Sequence, residues 1–262
     1  MAWGVGAGDF QGALLQAAAS IRDAGHDPRG ALPDAISRCL GHDPTPPGEV
    51  LYFHATRLAD PPTLLRRGLY PTAVVLDELW DFIGRLAEPE ITTTQWRDVR
   101  RAMDSGTIGA DLPYRHRLDH RSQQGPCAAL VLDTVLHAER YPGTVDYLAG
   151  AEIVVDICDA VAAAYDLPLH RRYLDATRPC IVEIIMPGDA SPSVLDTAAW
   201  YVEAAVLGQT TSEAHWGIDG AGNQLVDARI HRIWDVTSQE SWESLISEAR
   251  RGSSGRGDGI SR

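Results

Sequence analysis

The sequence predicts an α+β domain. Three observations lead there. Five short apolar runs, near residues 50–54, 127–132, 180–186, 225–226 and 229–236, read as strands. Amphipathic stretches at helical spacing lie grouped between these runs instead of alternating with them one for one. No glycine-rich phosphate loop joins a strand to a helix, which argues against a parallel dinucleotide-binding sheet.

Phe10 to Ala24 carries Leu14, Leu15, Ala18 and Ile21 on one face, with Asp9 positioned as an N-cap. A second short helix is expected from about Arg29 to Leu40. Asp43-Pro44-Thr45-Pro46-Pro47-Gly48 then forces an extended connector, so residues 1–46 read as an N-terminal helical extension. Val50-Leu51-Tyr52-Phe53-His54-Ala55-Thr56-Arg57 is a strand that stops at a polar rim. Pro61-Pro62 opens a short helix that Gly68 closes. Asp77–Leu86 and Thr92–Met103 are amphipathic helices, the second with threonines at its cap. Residues 104–124 are polar, show no periodicity and read as a loop. Thr144 to Tyr165 reads as a helix or helix pair. Pro179 to Met186 is the strongest strand. Ser193–Leu207 is a helix, Trp216–Gly222 a glycine-punctuated turn, and Leu225-Val226 with Arg229–Val236 a final β pair. A helix follows from Ser238. The main domain is placed at 47–251, and 252–262 read as a disordered Ser/Gly/Arg tail.

Composition narrows the function. The chain of 262 residues has a net charge of −13, so bulk nucleic acid is not an expected partner. All 23 basic residues are arginine, which leaves no Schiff-base or phosphate-loop lysine. Cys39, Cys127, Cys158 and Cys180 have no C-x-x-C spacing and read as reduced, mostly buried small hydrophobes. The N-terminus has no signal-peptide pattern, and no apolar run reaches membrane-spanning length. A soluble, cytoplasmic protein is the expectation.

Four constellations bear on chemistry. His54, Thr56 and Arg57 stand at a strand end, followed by Gly68. Together they offer a ring nitrogen, a hydroxyl, a guanidinium and close backbone approach to a polar ligand. The stretch Tyr114-Arg115-His116-Arg117-Leu118-Asp119-His120-Arg121 is a local basic patch on an acidic chain, read equally as a phosphate or partner contact and as a solvated loop. A metal site from His116, Asp119 and His120 is a minor alternative, and no metal is expected. Glu183, Glu203, Glu213, Asp219 and Asp227 are candidate carboxylates for steadying positive charge in glycosidic cleavage. Glu183 and Glu203 stand out because their neighbours are apolar. Hydrolysis through an activated Ser or Cys has no supporting motif.

The segment Leu51-Tyr52-Phe53-His54-Ala55-Thr56-Arg57, with Leu65-Arg66-Arg67-Gly68-Leu69, resembles the first NAD-binding motif of the ADP-ribosyltransferase superfamily. It is most similar to the poly(ADP-ribose) polymerase branch and the related bacterial DNA-targeting toxins. The resemblance covers about 20 residues. It implies a split antiparallel β-sheet core with NAD held between two small sheets. By that resemblance His54 would contact the adenosine ribose or hold the nicotinamide half, Thr56 would bond a ribose hydroxyl, and Gly68 would lie against the dinucleotide. Arg57 is grouped with these ligand contacts. For the tyrosine that stacks on nicotinamide, Tyr114, Tyr141 and Tyr147 are the nearby options, with Tyr114 assigned. The family's catalytic glutamate aligns with Asn223 or Gln224, neither a carboxylate. Gln224, Glu183 and Glu203 are therefore the catalytic assignments. The implied activity is mono-ADP-ribosyl transfer from NAD to a protein side chain, nucleic-acid base or small molecule. The alternative is a catalytically inactive module that binds a nucleotide or protein partner.

Overall fold

In the computed structural model, residues 3–24, 30–45, 47–107, 111–141, 144–188, 192–215, 217–225 and 228–254 are described. Helices α1 (Ala7–Ala24) and α2 (Leu32–Leu40) lead into strand β1 (Glu49–Leu58). Helices α3 (Pro61–Arg67), α4 (Thr72–Ala87), α5 (Thr93–Ser105) and α6 (Asp111–Asp119) follow, then β2 (Cys127–Ala129) and α7 (Leu132–Leu136). Helices α8 (Glu152–Tyr165) and α9 (Leu169–Ala176) precede β3 (Arg178–Pro187). The chain continues through α10 (Pro192–Val206), β4 (Gly217–Asp219), β5 (Arg229–Asp235) and α11 (Gln239–Ser254). The class is α+β, with one antiparallel sheet in the order β4-β2-β1-β3-β5.

The sheet has two unequal parts. β1 and β3 pair along ten positions, from Glu49 opposite Pro187 to Leu58 opposite Arg178. β1 and β2 meet at a single pair, Phe53 opposite Ala129. The strands thus form one sheet with a narrow seam in the place where the sequence resemblance expects two sheets.

Side chains alternate across the sheet. Val50 and Tyr52 share one face with Val182 and Ile184, and pack against Leu69 and Val194. Phe53, Ala55 and Ile181 point the other way, under Leu136 of α7 and Leu245 of α11. A separate helical lobe closes around Trp80, Ile83, Met103, Tyr114, Ile157 and Leu169, using α4, α5, α6, α8 and α9. α5 starts with a capping box, in which the Thr92 hydroxyl accepts from the Gln95 backbone N–H and the Gln95 side chain accepts from Thr92 N–H. The Asp9 expected as a cap lies inside the first turn of α1.

The N-terminal helices do not stand apart from the rest. Leu14, Ala18, Leu32 and Ile36 share a core with Ala199 and Trp200 of α10. Arg22 reaches the buried Glu203 carboxylate at 2.6 Å, and Asp196 accepts from the Gly30 and Leu32 backbone N–H groups at 2.9 and 3.3 Å. Among the described residues, no helix is long and apolar enough to cross a membrane.

Several expectations need correction. The stretch 104–124 contains α6, a regular helix within the expected loop. β2 ends at Ala129, and the apolar residues after Val131 turn into α7. The helix expected from Thr144 begins at Glu152. The expected final β pair does not form: β5 pairs with β3, and the other late strand is Gly217–Asp219, inside the expected turn and paired with β2; Leu225 is outside any strand, and Val226 lies outside the described residues. α11 runs to Ser254, past the expected start of the tail; residues 255–262 of that tail lie outside the described residues. Cys158 and Cys180 are buried, whereas Cys39 and Cys127 are exposed.

Candidate functional site

β1 runs out at the edge of a wide cleft. The register places His54 opposite Val182 and Thr56 opposite Cys180, so both leave the strand on the same face. Two adjoining cavities, of about 630 and 290 Å³, share His54, Thr56, Arg57, Tyr70 and Tyr173 as walls. The larger is bounded by α3 and α4, the smaller by residues 123–127 and the start of α8. None of the described residues before Glu49 lines either cavity.

His54 Nδ1 donates to the Cys127 carbonyl at 2.6 Å, across the β1–β2 seam. That bond fixes the proton on Nδ1 and leaves Nε2 as a lone-pair acceptor. Burial lowers the imidazole pKa, with the Cys127 hydrogen bond opposing it, so the ring is neutral at pH 7. The Thr56 hydroxyl makes no hydrogen bond to a described residue and lines both cavities.

Arg57 behaves differently. Its Nε donates to Thr177 Oγ1 at 3.0 Å, Nη1 to the Leu148 carbonyl at 2.7 Å, and Nη2 to the Leu174 and Thr177 carbonyls at 2.8 and 2.9 Å. The guanidinium thus ties the end of β1 to the segment before α8 and to the C-terminus of α9. As a direct ligand fork it is nearly spent. Its charge remains: no carboxylate of a described residue lies within 4.0 Å of it.

Gly68 has φ +81°, a conformation that side chains rarely adopt. A β-carbon there would sit 3.4 Å from Gln224 Nε2, which places Gln224 against the glycine. Arg67 beside it makes a two-point pair with Glu78, at 2.5 and 2.7 Å.

The assigned catalytic glutamates lie elsewhere. Glu183 pairs with Phe53, on the sheet face opposite His54, and accepts from the Trp234 indole at 2.8 Å. Glu203 belongs to the clamp between α1 and α10. Tyr114 is fully buried in the helical lobe. There its hydroxyl accepts from Trp80 Nε1 at 3.1 Å and donates to Asp104 at 3.0 Å, and burial pushes its pKa up to about 12. The tyrosines at the cleft are Tyr70, Tyr147 and Tyr173. The Glu213 side chain and Asp227 lie outside the described residues.

Sequence reasoning missed Glu152. It lines the smaller cavity with His54 and Thr56, on the first residue of α8. Arg117 holds it at 2.9 Å and also binds Asp156 at 2.9 Å. The Tyr147 hydroxyl donates to its other oxygen at 3.5 Å. The basic stretch at 114–121 therefore contributes Arg117 to the cleft as the partner of a carboxylate. His116 and His120 stack edge to face at 4.2 Å, and no group of three possible metal ligands forms among the described residues. Acids are common in the first turn of a helix, which is why Glu152 carries no sequence signal by itself.

No protein-family model, curated protein or solved structure matches this chain.

Proposed function

We propose that the cleft binds NAD and that the chain is an NAD-dependent mono-ADP-ribosyltransferase. The observation that carries this reading is the pairing of two unspent polar groups on one strand face. A neutral His54 with Nε2 open and a Thr56 hydroxyl, each without a further partner among the described residues, suit the vicinal hydroxyls of a ribose. The uncompensated Arg57 charge favours an anion nearby, as a diphosphate would supply. The two cavities together fall near the upper end of the ~300–1,000 Å³ common for small-molecule sites. Glu152 is the carboxylate placed to steady an oxocarbenium-like transition state as nicotinamide leaves. The acceptor is a protein side chain, a nucleic-acid base or a small molecule.

Two observations favour the second reading, a nucleotide-binding module without turnover. The residue against Gly68 is Gln224, and Glu152 is already engaged by Arg117. Calorimetry with NAD and chromatography of released nicotinamide separate the two. For the enzyme, NAD binds and nicotinamide is released; His54→Ala weakens binding at least about tenfold, the loss of one hydrogen bond to a ligand. Glu152→Gln slows release by about 100-fold with binding little changed, while Glu183→Gln changes neither. Binding without release supports the module, and no binding overturns both.

A further inference from the structure

A third cavity, of about 310 Å³, lies beyond the seam, on the sheet face that carries Phe53 and Ala55. It adjoins the His54 cleft through Cys127 and Tyr147, which line both. Its walls include Phe53, Val135, Val145, Tyr147 and Ile218, and the one carboxylate that the described residues contribute to it is Asp219, at the end of β4. Asp219 Oδ1 accepts from Ala221 N–H at 2.8 Å and from the Cys127 thiol at 3.5 Å. No cation of a described residue lies within 4.0 Å of this carboxylate, and Oδ2 has no partner among the described residues.

The lining selects among ligand classes. An anion would meet Asp219 and no compensating cation. A sugar would find few groups to bond, because the Thr134 hydroxyl is spent on the Val131 carbonyl at 2.7 Å. A neutral apolar body would gain only the walls. An organic cation gains the walls, the carboxylate and two aromatic rings, the combination that recognises alkylated ammonium groups. We infer that this cavity is a second ligand site and that it takes an alkylammonium group on a short apolar stem.

The site stands independently of NAD, so it is tested without NAD. Choline and its uncharged isostere 3,3-dimethylbutan-1-ol are titrated by calorimetry at low salt. Choline is expected to bind at least about tenfold more tightly. Asp219→Asn keeps the Oδ1 acceptor and removes the charge. It should cost choline about tenfold and leave the alcohol unaffected. Phe53→Leu, which keeps an apolar side chain and removes one ring, should also weaken choline selectively, with thermal melts confirming that each variant folds. Equal affinity for choline and the alcohol overturns the site. So does preferential binding of 1-methylnicotinamide, which would make the cavity part of the dinucleotide cleft.

Discussion

The two sides of the β1–β2 seam are built from the same kind of pairing but in very different amounts. On one side, β1, β3 and β5 form a broad platform with ten β1–β3 pairs and an interior of Ile181, Val182 and Ile184 that is fully buried. On the other, β2 and β4 are three residues each, and one register pair joins them to β1. Fold stability concentrates on the platform. The candidate ligand groups gather at the seam, where few ladder bonds hold the strands and side chains must do part of that work.

The largest expected effect is on the platform. Ile184→Ala should lower unfolding stability by about 3 kcal/mol, through lost burial and a cavity between β3 and its cover. Urea denaturation measures this, and a loss below about 1 kcal/mol would show that the platform is not where stability lies.

A smaller and more local effect is expected beyond the seam. A β-carbon at Gly217 would come within 2.0 Å of the Ala128 carbonyl oxygen and 2.8 Å of Ala129 Cα. Both are backbone atoms, so the strands must part. Gly217→Ala should cost about 1–3 kcal/mol, with faster amide exchange at 127–129 and 217–219. Protection across β1 and β3 should persist; uniform loss over the whole sheet would mean that the two sides melt as one.

The smallest effect concerns the bond across the seam. His54 has a lowered pKa in the folded chain, so the unfolded chain takes up its proton first as pH falls below about 6.5. Stability therefore declines on acidification in that window, by at most about 1.4 kcal/mol per pH unit for one proton. Above 6.5 the histidine contributes no pH dependence. His54→Gln should flatten the difference in unfolding free energy between pH 7 and pH 5.5 relative to the parent chain. The same slope in both would contradict a buried neutral imidazole.

The platform was legible in the sequence because its residues advertise it. Val50 to Phe53 and Cys180 to Met186 are runs that only a buried strand accommodates well. β4 was hidden, since Gly217-Ile218-Asp219 carries one apolar residue between a glycine and an acid, and pairing with Cys127–Ala129 is what makes it a strand. α6 was hidden by its charges: most of its sequence is polar, and it is held in the lobe by the buried Tyr114, by Leu118 packed against the same core, and by the Arg117 pairs with Glu152 and Asp156. At the site, His54, Thr56 and Gly68 could be picked out from the spacing of one local motif, and all three border the cleft or its neighbour Gln224. Arg57 could not be separated from them. Its partners come from Leu148, Leu174 and Thr177, as far as 120 positions away, and only the fold brings those carbonyls together. The placement of Glu183 was hidden for a related reason. An acid in an apolar strand signals burial, but its partner, an indole on the neighbouring strand, and its position on the face opposite His54 emerge only from the fold.

The clamp between the N-terminal helices and α10 has a consequence for the order in which the molecule can be made. Arg22 and Glu203 are 181 positions apart, and Gly30 and Asp196 are 166 apart. During synthesis, α1 and α2 emerge with the apolar face that Trp200 will cover and must wait until α10 has been produced, after β1, β2 and β3 and before β4 and β5. Helices α1 and α2 thus complete their shared core only after a segment more than 160 positions further along has been made.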